Sequence, residues 1–237
     1  MSDGDDYPEQ NDYNYDYDYD IERYLNIRSA YSPTFGSDGE LAFLTNTTGV
    51  SQLWRLDEPL SWPRQLTFYD ERVTFASYSP ERDELVFGMD EGGNERTQFF
   101  RLDGDGEQVV PLTQEPDAKH RWGGWSPDGG EFAFASNRRD EAVFDIYVQE
   151  RDGDEATRVY EGDGWFSVAG WSPDGERLAV TKAQSNFDQD VYVLDIESGE
   201  MEHLTPHGDE KIRYKSVNWS PRGDALYLVT DKGEDTL

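Results

Sequence analysis

Short, nearly continuous apolar runs punctuate an otherwise polar chain: Leu41-Ala42-Phe43-Leu44, Leu85-Val86-Phe87, Phe132-Ala133-Phe134-Ala135, Leu178-Ala179-Val180 and Ala225-Leu226-Tyr227-Leu228. Runs of this length, bounded by turn residues, suit strands buried on both faces. A second set follows after a short gap: Gln52-Leu53-Trp54-Arg55-Leu56, Gln98-Phe99-Phe100-Arg101-Leu102, Asp145-Ile146-Tyr147-Val148 and Asp190-Val191-Tyr192-Val193-Leu194. Each of these meets a Gly/Asp turn, such as Asp103-Gly104-Asp105-Gly106 or Glu197-Ser198-Gly199. A last short strand then ends near Leu66-Thr67, Leu112-Thr113, Val159-Tyr160 and Leu204-Thr205. No stretch shows helical periodicity, so the pattern predicts an all-β chain.

The corners between the strands repeat as well. Gly124-Trp125-Ser126-Pro127-Asp128-Gly129 returns as Gly170-Trp171-Ser172-Pro173-Asp174-Gly175 and as Asn218-Trp219-Ser220-Pro221-Arg222-Gly223, with weaker copies at Tyr31-Ser32-Pro33 and Tyr78-Ser79-Pro80. The aromatic markers 31, 78, 125, 171 and 219 are separated by 47, 47, 46 and 48 residues. Pro presets φ for the turn, Asp bonds its own backbone, and Gly accepts the positive φ that re-enters a strand. The marker itself ends the first strand and is placed to fill the space between neighbouring repeats. A steady period of this length, with four strands in each, predicts the blades of a β-propeller.

About four and a half blades are expected over residues 21–237, near 28–68, 72–114, 119–161, 165–206 and an incomplete 213–237. Because propellers close a ring, the half-blade implies an incomplete ring whose remaining strands lie outside this chain. Residues 1–20 hold eight acids, five Tyr and no base, and read as a disordered acidic Tyr/Asp tail, since like charges repeated on one face oppose strand pairing.

Composition changes the picture in one respect. Acidic residues outnumber basic ones by 51 to 21, for a formal charge of −30. Such a surface repels nucleic acid and anionic membrane, so neither is expected as a partner. Only five of the basic residues are Lys against 16 Arg, a balance that points to a salt-adapted, halophilic protein; an acidic mesophilic one is the alternative. There is no Cys, no basic and apolar leader, and no apolar run of membrane-spanning length, so a cytoplasmic location is expected.

The tandem Trp-Ser-Pro-Asp-Gly corners, followed by Phe132-Ala133-Phe134-Ala135-Ser136-Asn137-Arg138-Arg139 and Asp145-Ile146-Tyr147-Val148, resemble the N-terminal propeller of the prolyl oligopeptidase family. Acylaminoacyl peptidases and dipeptidyl peptidases, haloarchaeal members especially, are the nearest in style, over residues 21–237. TolB-like propellers, used as protein–protein interaction scaffolds, share the turn motif and remain the second choice. The peptidase resemblance implies a propeller that gates the access of short peptides to a serine α/β-hydrolase domain. No Gly-x-Ser-x-Gly nucleophile elbow is present, because Ser126 and Ser172 run into Pro-Asp; no catalytic residue is therefore expected in this chain, and the partner would be a C-terminal hydrolase domain or further blades.

Other chemistry is sparse. Asp103-Gly104-Asp105-Gly106-Glu107 begins like a calcium loop but lacks the glycine at position six and ends at Gln114, so a hairpin turn is expected and no metal or cofactor is assigned. His120, His203 and His207 read as solvent-exposed loop residues. One pattern is less bland. The segments before each first strand and between the second and third strands share one end of a blade. That end receives Arg72, Arg96, Lys119, Arg121, Arg138, Arg139, Lys182, Lys211, Arg213, Lys215 and Lys232, 11 of the 21 basic residues. Arg72, Arg121, Arg213 and Lys215, in matching positions before their markers, are the candidate substrate-binding residues, able to hold a peptide carboxylate or a facing acidic domain at a channel mouth. The competing expectation is that this group pairs with nearby acids, among them Asp70, Glu71, Asp117, Asp140 and Glu210.

Overall fold

The structure, a computed structural model, describes residues 21–233. The tail expected over residues 1–20 lies outside the described residues. The described residues open with an exposed helical turn, α1 (Ile21–Leu25), which the apolar pattern did not announce because none of its residues is buried.

Five antiparallel sheets follow in chain order. The first contains β1 (Ala30–Phe35), β2 (Leu41–Thr45), β3 (Gln52–Leu56) and β4 (Arg64–Gln65); the second β5 (Val73–Tyr78), β6 (Glu84–Met89), β7 (Gln98–Asp103) and β8 (Val109–Pro111). The third holds β9 (His120–Trp125), β10 (Glu131–Ser136), β11 (Asp145–Glu150) and β12 (Ala156–Tyr160); the fourth β13 (Trp165–Trp171), β14 (Arg177–Ser185), β15 (Asp188–Asp195) and β16 (Met201–His203). The fifth comprises β17 (Tyr214–Trp219) and β18 (Leu226–Thr230). Within each sheet every strand pairs with the next in sequence, so consecutive hairpins build the whole architecture. First strands face one another across sheets, β1 beside β5, β9 beside β13 and β13 beside β17. The arrangement is propeller-like. Among the described residues no strand pairing joins the fifth sheet to the first.

The Ser-Pro corners fold as their residues dictate. In the third sheet Gly129 N donates to Ser126 O at 2.9 Å, while Ser126 Oγ donates to Asp128 Oδ1 at 2.7 Å and accepts from Glu131 N at 2.9 Å. Gly129, Gly175 and Gly223 take φ of 63°, 75° and 71°, the left-handed conformation that closes the turn. Where the third corner has Arg222 in place of Asp, Asp224 accepts the Ser220 hydroxyl instead, at 2.7 Å. Ser79, followed by neither arrangement, leaves its buried Oγ without a partner among the described residues.

The aromatic markers join the sheets. Trp125 Nε1 donates to Ser77 O at 3.4 Å, Trp171 Nε1 to Gly124 O at 3.0 Å and Trp219 Nε1 to Gly170 O at 3.3 Å. Each acceptor is the residue just before the preceding marker, so every indole reaches back to the same place in the previous first strand. Tyr78 has no indole N–H, and there a backbone contact serves: its amide donates to Thr34 Oγ1 at 3.1 Å.

The cores lie between sheets. Ala42, Leu44 and Leu53 of the first pack with Leu85, Phe87 and Leu102 of the second. Val86 and Phe99 of the second pack with Phe132, Phe134 and Tyr147 of the third. Ala133 and Ile146 of the third meet Phe166, Leu178 and Val180 of the fourth, and Ala179 and Val191 of the fourth meet Ile212, Tyr214 and Val217 of the fifth. Alternate residues of β6, β10 and β14 thus serve opposite neighbours, which is why these strands read as unbroken apolar runs rather than alternating ones. On the outer face of the fifth sheet Tyr227 and Val229 are exposed.

Replacing Trp171 by Phe keeps a ring in the interface but removes the donor to Gly124 O. The expected loss of stability is about 1–2 kcal/mol. Trp62, 91% exposed, supplies the control: Trp62→Phe should change stability by less than about 0.5 kcal/mol. Urea midpoints of the two variants, compared at equal slope, check both.

Candidate functional site

Antiparallel hairpins place the segment entering each first strand and the connection between second and third strands at the same end of every sheet. The candidate cations lie there. Arg72 immediately precedes β5 and is exposed, with no ion pair among the described residues. Lys215, the second residue of β17, is exposed in the same way. Arg213, just before β17, is committed: its Nε meets Asp231 Oδ2 at 2.8 Å, its own amide donates to Asp231 Oδ1 at 2.8 Å, and its guanidinium lies 5.5 Å from the Phe187 ring.

Arg121, the second residue of β9, differs from all of these. It is half-buried, its guanidinium carbon 4.0 Å from the centre of the Phe144 ring and 5.4 Å from that of Trp165. Its Nη1 donates to Ser167 Oγ at 3.3 Å, and no carboxylate pairs with it among the described residues. Burial pulls its pKa below the ordinary arginine value. Phe144 is itself fixed by backbone, donating from its amide to Gly164 O at 2.9 Å, and the Trp165 indole donates to Ala142 O at 3.0 Å. Arg121 borders a cavity of about 240 Å³ that Phe144, Trp165, Lys119 and Glu141 also line.

The remaining basic residues of this end divide. Arg139 pairs with Asp145 (2.7 Å), Lys119 with Glu95 (3.2 Å), Arg96 with Asp117 (3.1 Å) and Lys182 with Asp163 (2.7 Å). Of the acids expected as partners, only Asp117 forms a salt bridge among the described residues. Arg138 pairs with no carboxylate among the described residues; it stacks 4.6 Å from the Tyr147 ring centre and donates to His120 Nε2 at 3.1 Å.

The histidines meet the sequence expectation of solvent-exposed loop residues only in part: His120 is buried in a strand, His203 is exposed but lies on a strand, and His207 lies in a loop but is largely enclosed. His120 is buried in β9, its Nδ1 donating to Thr97 O at 3.0 Å. Burial, followed by the charge of Arg138, lowers its pKa to about 4, so the ring is neutral. His203 sits in β16 with Nε2 at 2.8 Å from Asp190 Oδ1 and its ring stacked on Tyr192. His207, whose side chain is largely enclosed, bridges Thr205 O (2.9 Å) and Asp188 Oδ1 (2.9 Å), and these two contacts raise its pKa. The reason is positional. The first residue of each third strand, or its neighbour, ties down the return to the next sheet: Gln52 bonds the carbonyls of Tyr69 and Glu71, Gln98 that of Glu115, and Asp145 the amide of Gly162. In the fourth sheet Asp188, the first residue of β15, meets His207 and the amide of Ile212, while Asp190, two residues further on, meets His203. This role of Gln52, Gln98, Asp145 and Asp188 escaped the sequence reading, although the first three follow the period. Burial would raise the Asp145 carboxyl, but Arg139 and the Gly162 amide outweigh it and hold it below the usual range.

Asp103, the first residue of the calcium-loop look-alike, has its Oδ1 filled by the amides of Glu107 (2.7 Å) and Gln108 (3.1 Å), and shapes the β7–β8 turn. Among the described residues no helix is long and apolar enough to cross a membrane.

Four-stranded sheets side by side, indoles reaching from each first strand to the one before, and cores shared between neighbours define a β-propeller segment. Its resemblance to the propellers of prolyl oligopeptidase peptidases, with TolB-like propellers next, holds in comparison with known proteins. The chain is 22% identical over 260 residues to dipeptidyl-peptidase 5 of Porphyromonas gingivalis, covering 87% of this chain and 38% of that protein. In fold it matches a prolyl endopeptidase (TM-score 0.68, 16% identity, 87% of this chain and 33% of that one) and TolB of Acinetobacter baumannii (TM-score 0.62, 22% identity, 84% and 48%). No family model matches the chain. The chain spans from 22% to 38% of the length of the curated relatives it resembles.

The two enclosed imidazoles should titrate on opposite sides of the ordinary value, His120 near 4 and His207 above 6.5. For His120 the unfolded chain binds the proton first, so its contribution to stability falls as pH drops from 6.5 towards 4. For His207 the folded chain holds the proton longer; its contribution is full below 6.5 and disappears as pH rises through the elevated folded value. Imidazole resonances followed across pH 4–9 check the order, and a reversed order refutes it.

Proposed function

We propose that this chain is the non-catalytic propeller portion of a prolyl-oligopeptidase-like serine peptidase, gating the passage of short peptides to a hydrolase domain encoded beyond it. On this reading the five sheets are four and a half blades of a ring that further strands complete. The observation that carries it is sequence similarity to a dipeptidyl-peptidase along 87% of the chain, in a protein of which the matched part is 38%. Two features of the site support it. The end where first strands begin carries cations with no acidic partner among the described residues, Arg72, Arg121 and Lys215, in a chain of net charge −30. No Gly-x-Ser-x-Gly elbow occurs, as a gate without chemistry of its own requires. A TolB-like interaction scaffold is the second reading, favoured by the comparable fold match to TolB at higher identity than to the prolyl endopeptidase.

A fluorophosphonate probe distinguishes the two. The product of the full reading frame should label on serine while residues 1–237 alone should neither label nor hydrolyse peptides; absence of label at every length would leave only the scaffold.

We further propose that the excess of acid is an adaptation to salt. Screening shortens to about 3 Å near 1 M salt, which relieves the self-repulsion of a chain this charged. The melting temperature should therefore climb steadily from dilute buffer to molar KCl. An unchanged value would rule the adaptation out.

A further inference from the structure

We propose that the cavity beside Arg121 is a subsite for the C-terminal carboxylate of a peptide whose last side chain is apolar. This goes beyond the gating role and stands whether or not a hydrolase domain follows.

A guanidinium presents its N–H donors as a fork that matches a carboxylate, and at Arg121 only the bond to Ser167 Oγ occupies it among the described residues. Among the described residues no acid offsets its burial. In a chain with 51 acidic residues this is a consequence of shape: Phe144 lies against the guanidinium and Trp165 flanks it, occupying positions from which an acidic side chain would approach. The aromatic faces favour the cation without neutralising it, so its charge remains available to a ligand.

The lining also says what kind of anion fits. Lys119 and Arg96 are already matched by Glu95 and Asp117, and Glu141 lines the same cavity. One positive charge is therefore uncommitted, and the surrounding acids oppose phosphates and other polyanions. A single carboxylate is the complementary group. Phe144 is only 2% exposed and is used up by Arg121, whereas Trp165 is 52% exposed and offers ring surface to a neighbouring apolar side chain. Trp165 also borders a second cavity, of about 520 Å³, along the turn between β14 and β15, where Gln184, Ser185 and Asn186 present polar groups. The first cavity suits a terminal residue; the second gives the preceding main chain a path outward.

The test compares N-acetyl-Gly-Phe with its C-terminal amide on the unmodified full chain, reading the Trp165 indole N–H resonance, assigned through Trp165→Phe. The free acid should bind about tenfold or more tightly than the amide, the loss expected when a hydrogen bond to a charged partner is removed. Inorganic phosphate at equal concentration should not displace it. Arg121→Gln should abolish the difference between acid and amide, and Trp165→Ala should weaken both. Equal affinity of acid and amide, absence of binding at millimolar peptide, or displacement by phosphate would overturn the proposal. The acid–amide comparison needs no variant, so a folding defect in Arg121→Gln leaves the proposal falsifiable.

Discussion

An indole N–H reaching one sheet backwards sets the relation between neighbouring sheets. Trp125, Trp171 and Trp219 each donate to a carbonyl in the preceding first strand, at the residue just before the previous marker. A flat hydrophobic interface would let two sheets slide; a directed bond to one carbonyl fixes both offset and angle. Where Tyr78 takes the place of Trp, its hydroxyl is buried without a partner among the described residues, and the alignment rests on its amide and Thr34. That junction lacks the side-chain bond the other three share.

Side-chain locks at the edges complete the frame. Thr67, Thr113 and Thr205 accept through Oγ1 from an amide near the start of their sheet's third strand (Leu53, Phe99 and Val191), at 2.8, 2.9 and 2.8 Å, while Gln52, Gln98, Asp145 and Asp188 hold the returns between sheets. The third sheet has Tyr160 where the others have Thr, and there the buried Asp145, gripped by Arg139 and Gly162, takes a larger share. The uncommon charge at the start of β11 is thus structural. Its depth and its arginine partner could have passed for a catalytic pair.

The repeat and its strands were legible because they are local: turn residues, short apolar runs and a period of about 47 residues need no knowledge of what lies across an interface. The markers' role as inter-sheet fillers was also readable, though the indole's acceptor was not. His120 and His207 were misread as exposed because nothing near them in sequence foretells burial: His120 lies under Phe99 and Phe134, and His207 is enclosed by Asp188 and Tyr214. The candidate site was legible in part. Its end of the sheets and the identity of Arg121 came from spacing, but Arg213's commitment to Asp231 and the Phe144–Trp165 setting of Arg121 depend on residues from 18 to 44 positions away.

Alternation along the second strands has a further outcome. In β6, Leu85 and Phe87 belong to one junction and Val86 to the next; in β10, Phe132 and Phe134 look one way and Ala133 the other. Odd and even positions of a single strand are therefore answerable to different neighbours. Each junction can drift in side-chain volume almost independently of the one beside it. A whole unit can be copied or lost with only two seams to mend, a route by which chains of this build change length.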